Sequence, residues 1–205
     1  MTLLGPGTPL LFQGAEFASS KPFLYFADHN PDLAPLVRKG RAAFLAQFPS
    51  IARADVQATL PDPADAETFR RCVLDWSERK SNGWAVAMFR DLLRLRREDP
   101  ALRAQRFGGV DGAVLGATAF VLRYFHDGGD RLLVVNIGAD LVLRPAPEPL
   151  LAPPDGRGWQ VIWSSEDPRY GGGGTPAVEV DGWRLPGESA IVLTPRDEPE
   201  AEYVV

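Results

Sequence analysis

Four polar side chains, Gln13, Glu16, Asp28 and His29, follow a short apolar run near the start of the chain. Amide, carboxylate and imidazole groups donate or accept hydrogen bonds, so this set is a candidate site for binding a polar substrate. The spacing also suits an ordinary loop in which Asp28 orients His29 or assists the cap at Asn30. Both interpretations remain open on the residue types alone.

The element expected to position these side chains is a strand at Pro9-Leu-Leu-Phe12, bounded by Gly7 and Gly14. An apolar run of this length favours a strand that is buried on both faces. Gly14 permits a sharp turn or a close backbone approach directly after the strand. In a (β/α)₈ barrel, the C-terminal ends of the strands form the rim where substrate-facing side chains gather.

Length and composition restrict the class of protein. A chain of 205 residues with 45% hydrophobic residues forms one or two domains with a substantial core. The net charge of −5 argues against a nucleic-acid surface, and the chain has no apolar run long enough to suggest a membrane span. Met1-Thr-Leu-Leu is not a secretory signal, and Cys72 has no second cysteine to pair with, so we expect a cytoplasmic protein.

The region from Asn30 to about residue 105 is predicted to be mainly helical. Asn30-Pro31-Asp32 supplies an N-cap, a proline for the first turn and an early acid, and Pro49 ends that helix. The clearest helix runs from about Gly83 to Glu98, where Trp84, Met88, Leu92 and Leu95 share one face. Ser81 or Asn82 is expected to cap its start.

After the helices the pattern changes to short strands separated by turns. Ala119–Phe125 alternates in polarity, and Arg131–Ile137 follows after a turn that contains Gly128 and Gly129, which predicts a hairpin. Further short strands favour a small antiparallel β-sandwich. We therefore predict two domains, residues 1–105 and 106–205, with the boundary between Asp99-Pro100 and Gly108-Gly109.

Several motifs resemble the malto-oligosyltrehalose trehalohydrolases of the α-amylase superfamily. The pattern Gly7-x-Pro9-x-x-Phe12-x-Gly14-x-Glu16 is similar to the last-strand motif of that superfamily, and Pro22-Phe-x-Tyr-Phe-x-Asp-His29 is similar to the narrower family. Later segments agree in order along the chain: Phe69–Trp76, Arg90–Arg97, Trp163–Gly171 and Leu185–Leu193.

The resemblance implies an α+β fragment: the last strand and helices of a TIM (β/α)₈ barrel, then a small antiparallel β-sandwich. Family members are retaining glycosidases that release trehalose from maltooligosyl trehalose, and their catalytic carboxylates lie on strands before the last one. It therefore implies no catalytic residue, metal or cofactor in this chain. Gln13, Glu16, Asp28 and His29 remain as substrate-binding candidates. A malto-oligosaccharide would be the partner, through the parent enzyme, with no nucleic acid or membrane.

Two alternatives stay open. In the first, the chain is a non-catalytic module that packs on a partner or binds α-glucan through aromatic side chains, namely Trp159, Trp163, Tyr170 and Trp183. In the second, it is a piece of another α-amylase-superfamily enzyme such as a branching or debranching enzyme. A lone barrel strand cannot satisfy its ladder hydrogen bonds. We therefore expect residues 1 to about 50 to be poorly stable without the rest of a barrel.

Overall fold

The computed structural model describes residues 1–106, 108–154, 156–178 and 182–197. It divides into two compact units. Gln13–Asn82 form what we call the loop-helix unit, and Met1–Phe12 together with Gly83–Val205 form the sheet unit. Each unit is described by itself.

The sheet unit is built on an antiparallel sheet of five strands in the order β1-β2-β3-β7-β5. The strands are β1 (Val110–Val114), β2 (Ala119–Tyr124), β3 (Arg131–Asn136), β5 (Arg157–Ser164) and β7 (Ser189–Asp197). Two further strands, β4 (Leu141–Leu143) and β6 (Trp183–Leu185), pair with each other in a separate ribbon. The predicted hairpin is confirmed, because Phe120 of β2 pairs with Val135 of β3.

The sheet has two apolar faces, as the alternation in β2 predicts. Phe120, Leu122 and Tyr124 pack with one core cluster, whereas Ala119 and Val121 belong to the other. The second cluster includes Trp183 and Leu185 of the β4–β6 ribbon, and the first includes residues of the helices. The antiparallel sheet is therefore confirmed, but the second layer of the expected sandwich is only a two-stranded ribbon.

Two adjacent helices precede the sheet in the chain. Helix α5 (Gly83–Glu98) lies where the sequence predicts it and buries Ala85 and Leu92. Helix α6 (Pro100–Ala104) lies in the segment predicted as the domain boundary and buries Ala101 and Leu102. Asp99 caps α6, because its side chain accepts hydrogen bonds from the N–H groups of Ala101 and Leu102. By packing, residues 83–104 thus join the sheet, and this division differs from the predicted boundary at residue 105.

The loop-helix unit contains four short helices: α1 (Ala34–Leu45), α2 (Ala54–Gln57), α3 (Ala66–Cys72) and α4 (Glu78–Ser81). Asn30, predicted as the cap of this helix, lies one turn before it, and Leu33 occupies the cap position without a side-chain hydrogen bond. The Asn30 Oδ1 stabilises the preceding turn, since it accepts a hydrogen bond from Leu33 N at 2.9 Å. Helix α1 buries none of its residues, and Leu36 and Phe44 are exposed on it.

The strand predicted at Pro9–Phe12 is not formed. These residues have no helical or strand assignment, and the Leu10 side chain is 91% exposed. A strand exists only with a neighbour that pairs with its backbone groups, and no strand among the described residues pairs with this segment. The (β/α)₈ origin of the segment therefore stays an expectation.

The first residues, in contrast, are well anchored to the sheet unit. Leu3 and Leu4 are buried in the core cluster that contains Tyr124, and the Tyr124 hydroxyl donates a hydrogen bond to Leu4 O. Arg96 of helix α5 donates to Leu3 O at 2.8 Å and Gly5 O at 3.0 Å. Within the first fifty residues, which are expected to be poorly stable, residues 3–5 thus contact the sheet unit through buried side chains and hydrogen bonds.

Replacing Arg96 by lysine is expected to loosen residues 3–7. Arg96 also donates to Gly7 O at 2.8 Å, and a lysine ammonium cannot reproduce the planar fork that serves three carbonyls. We expect a local loss of about 1–3 kcal/mol, measured as faster hydrogen exchange in peptides from residues 1–12. Arg97→Lys is the matched control, because Arg97 is exposed at the adjacent position. Equal protection in both variants would contradict the anchoring role.

Candidate functional site

All four predicted site residues lie in the loop-helix unit and are exposed. Gln13 precedes a short 3-10 turn, Ala15–Phe17, which carries Glu16. Asp28 and His29 lie in the irregular segment before α1, where His29 N donates to Ala27 O at 3.0 Å. Their exposure leaves all four side chains accessible to a ligand.

The turn that carries Glu16 has a specific shape. Gly14 has a φ of 86° and Ala18 a φ of 49°, so both flanking residues adopt the left-handed conformation. Phe17 is fully buried and its ring lies 5.6 Å from that of Trp76. The apolar side of the turn is therefore fixed inside the unit, and the polar side with Glu16 faces solvent.

Two residues from the far end of the unit hold this turn in place. Glu78 accepts hydrogen bonds from Ser19 Oγ at 2.9 Å and from Ser20 N at 3.1 Å. Asn82 Nδ2 donates to the carbonyl oxygens of Phe17 and Ala18 at 3.0 and 3.2 Å. The amide of Asn82 thus binds the turn, a role beyond the cap predicted for Ser81 or Asn82.

The hydrogen bonds from Ser20 and Ser19 hold the pKa of the Glu78 carboxyl below its usual value of 4.5. A lowered folded-state pKa means that this contribution to stability is present above pH 4.5 and is lost as the pH falls through the folded value. We therefore predict that the protection factor of the Ser20 amide, measured against the intrinsic exchange rate at each pH, falls under acid conditions. In the Glu78→Gln variant, the protection of the Ser20 amide should no longer depend on acid. In the Glu67→Gln variant, which is changed outside the turn, that dependence should remain.

The segment from Pro22 to His29 is held by its aromatic residues and its backbone. The Tyr25 ring lies under the Arg41 guanidinium at 4.5 Å, and Phe26 lies 5.3 Å from Phe69. Ala27 N donates to Pro63 O at 2.9 Å. Tyr25 and Phe26 therefore pack within the unit, and Asp28 and His29 follow directly on a positioned backbone.

The alternative role of Asp28 in orienting His29 finds no support in residues 1–106, where no hydrogen bond joins the two side chains. Within the same described range, no hydrogen bond joins the four candidate side chains to one another. The structure positions Gln13 and Glu16 on one loop and Asp28 and His29 on another. Contact with a substrate stays a prediction for all four.

The aromatic residues of the sheet unit do not form a shared platform. Trp163 and Tyr170 belong to the core cluster on one face of the sheet, and Trp183 belongs to the cluster on the opposite face. Trp159 packs against the second cluster and donates from Nε1 to Leu151 O at 2.8 Å. The predicted binding surface made of these four side chains is therefore wrong, because they point into separate cores.

In the described part of the chain, no helix is long and apolar enough to cross a membrane. In the same residues, no group of three or more His, Cys, Asp or Glu side chains is placed to hold a metal ion.

The sheet residues 108–192 match a family model described as a domain of unknown function, DUF3459. The chain is 42% identical over 144 residues to a malto-oligosyltrehalose trehalohydrolase of Deinococcus radiodurans, across 67% of this chain and 22% of that protein. It is 33% identical over 199 residues to one of a Rhizobium species, across 94% of this chain and 29% of that protein.

Two solved structures are similar in fold to this chain. A protein described as a candidate alpha amylase from Salmonella typhimurium superposes with a TM-score of 0.67 at 28% identity, over 94% of this chain and 29% of its own. Trehalulose synthase from Pseudomonas mesoacidophila superposes with a TM-score of 0.55 at 16% identity, over 95% of this chain and 37% of its own, which supports the fold alone.

The chain spans less than a third of the length of these curated relatives. Within that span the motifs, the sheet and the sequence matches agree. The resemblance is confirmed: this chain is a homologue of part of the malto-oligosyltrehalose trehalohydrolases of the α-amylase superfamily.

Proposed function

We propose that the chain is the C-terminal, non-catalytic portion of a malto-oligosyltrehalose trehalohydrolase-type enzyme that releases trehalose from maltooligosyl trehalose. The observation that carries this proposal is the match to the Rhizobium trehalohydrolase, which extends over 94% of the chain. Branching or debranching enzymes are less well supported, because the named relatives are trehalohydrolases.

The geometry of the candidate site supports a binding role rather than a catalytic one. Glycoside cleavage requires two carboxyl groups on either side of the scissile bond, one of them with a pKa suited to protonating the leaving oxygen. Glu16 lies on an exposed turn and Asp28 on another exposed segment, so neither is in the buried environment that prepares such an acid. Hydrogen bonding to sugar hydroxyls needs no such preparation.

Exposed apolar side chains of the loop-helix unit support contact with a further polypeptide section. Leu36 and Phe44 on α1, with Phe48 after it, are exposed, and Phe44 and Phe48 lie edge to face at 6.3 Å. Large apolar patches on a protein surface mark places where another surface packs. We propose that the section of the relatives that this chain does not match covers them.

Purified full-length chain is expected to release no trehalose from maltooligosyl trehalose. The activity test is a chimera in which this entire chain replaces the matching section of the Rhizobium enzyme, because that match covers 94% of the chain. We expect the chimera to release trehalose, whereas the same enzyme with that section deleted does not. Turnover by the chain alone, or a soluble and folded but inactive chimera, would contradict the proposal.

The four candidate residues are proposed to contact the sugar in that chimera. Asp28→Asn and His29→Ala are each expected to raise KM about tenfold, since a hydrogen bond to a charged or polar partner contributes about 1–2 kcal/mol. The control is His126→Ala in the β2–β3 turn, where His126 Nδ1 accepts only a local hydrogen bond from Gly128 N. An unchanged KM in the Asp28 and His29 variants would remove these residues from the site.

A further inference from the structure

A polar cleft lies on the sheet unit beside the C-terminal end of helix α5. Its volume is about 330 Å³, and its wall includes Glu98, Ile162, Trp163 and Arg169. This volume falls within the range of small-molecule binding sites. The cleft involves none of the four candidate residues of the loop-helix unit.

The charged groups in the cleft are fixed in orientation. Asp91 accepts hydrogen bonds from the Tyr170 hydroxyl at 2.6 Å, from Arg94 at 3.0 Å and from Arg169 at 3.3 Å. Arg169 is held a second time by Asp167, through two nitrogen atoms at 3.1 and 3.0 Å. Side chains fixed in this way lose little conformational freedom when a ligand binds.

Glu98 lies in the cleft wall, and no stabilising contact accounts for a negative charge at this position. It lies in the last turn of α5, where the helix dipole disfavours a negative charge. The neighbouring Asp99 is accounted for, because it caps α6 and pairs with Arg131 at 2.7 Å. Glu98, in contrast, is exposed and forms no hydrogen bond or ion pair with any residue that the structure describes.

The strand on the other side of the cleft is locally irregular. The register of β5 against β7 shifts between Val161 and Trp163, which leaves Ile162 as the bulged residue with 40% of its surface exposed. Bulges of this kind redirect side chains and occur often beside binding sites. Ile162 thus offers an apolar surface within an otherwise charged cleft.

Trp163 of the same wall carries a donor that is buried and not open to the cleft. It is nine-tenths buried, and its Nε1–H has no hydrogen-bond acceptor among the described residues. Burial and the hydrogen bond to Asp91 raise the pKa of the neighbouring Tyr170 hydroxyl, and the Trp163 indole opposes this shift only in part.

The mixture of donors and acceptors indicates what kind of ligand fits. The wall carries three carboxylates, on Asp91, Glu98 and Asp99, and two guanidinium groups, on Arg94 and Arg169. Arg131 pairs with Asp99, and Asp167 pairs with Arg169, so the cluster has a net charge of −1 whether or not these two partners are counted. A ligand with many hydroxyl groups can both donate to the carboxylates and accept from the guanidinium groups.

We propose that this cleft binds a malto-oligosaccharide. Sugar hydroxyls donate to the free carboxylate of Glu98 and accept from Arg94 and Arg169, while the apolar face of a glucose ring contacts Ile162. The choice of an α-linked glucan rests on the proposed function. The choice of a polyhydroxylated ligand rests on the donors and acceptors of the cleft alone.

The test is a calorimetric titration of the full chain with maltoheptaose, with cellohexaose as the β-linked comparison. We expect saturable binding of maltoheptaose in the millimolar range and weaker binding of cellohexaose. Glu98→Ala should weaken binding at least about fivefold, the loss of one charged hydrogen bond. Arg90→Ala is the matched control, because Arg90 is exposed on the same helix outside the cleft, and it should leave the affinity within about twofold.

Three results would overturn the proposal: no saturable binding, equal binding by the Glu98→Ala variant, or binding of cellohexaose as tight as that of maltoheptaose. Glu98 and Arg90 are both exposed, so each variant is expected to fold, which near-ultraviolet circular dichroism checks. Trehalose release by the chimera does not require this cleft. The two proposals can therefore fail independently.

Discussion

Replacing Gly14 by alanine is expected to destabilise the loop-helix unit by about 2–5 kcal/mol. A Cβ at this position would lie 2.8 Å from Ser19 Cβ and 2.9 Å from Leu74 Cδ2, well inside contact distance. The φ of 86° adds a backbone cost that glycine does not incur. The measurement is hydrogen exchange across peptides from residues 13–82, where protection should fall throughout the unit.

The matched control is Gly40→Ala in helix α1. A Cβ there would meet no atom within 4 Å, so nothing has to move. Because alanine favours a helix more than glycine does, we expect this variant to gain about 0.5–1 kcal/mol. Equal behaviour of the two variants would show that the shape of the turn before Glu16 is not enforced by Gly14.

Replacing Asn136 by aspartate is expected to destabilise the sheet unit by about 3–5 kcal/mol at neutral pH. Asn136 is buried, and its Nδ2 donates to the carbonyl oxygens of Ala139, Leu185 and Pro186 at 2.8, 3.2 and 3.0 Å. A carboxylate in its place would put a buried negative charge against three acceptors. Such a burial raises the pKa of the new carboxyl in the folded state.

The sign of the pH effect follows from that raised pKa. Below pH 3.9, about the pKa of an aspartate in the unfolded chain, the new side chain is protonated in both the folded and unfolded states. The loss of unfolding free energy is smallest there. As the pH rises from there towards the folded value, the unfolded chain releases its proton first and stability falls. Denaturant unfolding of the sheet unit at several pH values is the measurement. The free energy of unfolding of the Asn136→Asp variant should fall as the pH rises.

Asn30→Asp provides the matched control for this substitution. At Asn30 the structure uses the side-chain oxygen, which accepts from Leu33 N and which aspartate retains. We expect a change within about 0.5 kcal/mol. An equally small change in unfolding free energy for Asn136→Asp would contradict the orientation in which the Asn136 Nδ2 faces the three carbonyl oxygens.

The elements that sequence predicts well are those with local causes. Helix α5 follows from a periodic apolar face, and the β2–β3 hairpin follows from alternation on both sides of a glycine turn. The strand expected at Pro9–Phe12 failed for the opposite reason, because an apolar run specifies a strand only when a neighbour supplies the ladder. The pairing of β4 with β6 is likewise set by tertiary packing, which no local pattern records.

Only part of the candidate site can likewise be predicted from the sequence. The polar residue types at Gln13, Glu16, Asp28 and His29 are visible in the sequence, and so is the special role of Gly14. The contacts that fix the turn come from Glu78 and Asn82, which lie about sixty residues further along the chain. Their side chains resemble ordinary helix-surface residues, so sequence alone gave no signal for them.

The attachment of Met1–Phe12 to the sheet unit makes residues 13–82 an insertion between two parts of one folded body. A protease that cuts within this insertion would break the backbone but leave the Arg96 hydrogen bonds and the burial of Leu3 and Leu4 intact. The amino-terminal piece of a nicked molecule would therefore stay with the rest and dissociate only when the sheet itself is denatured.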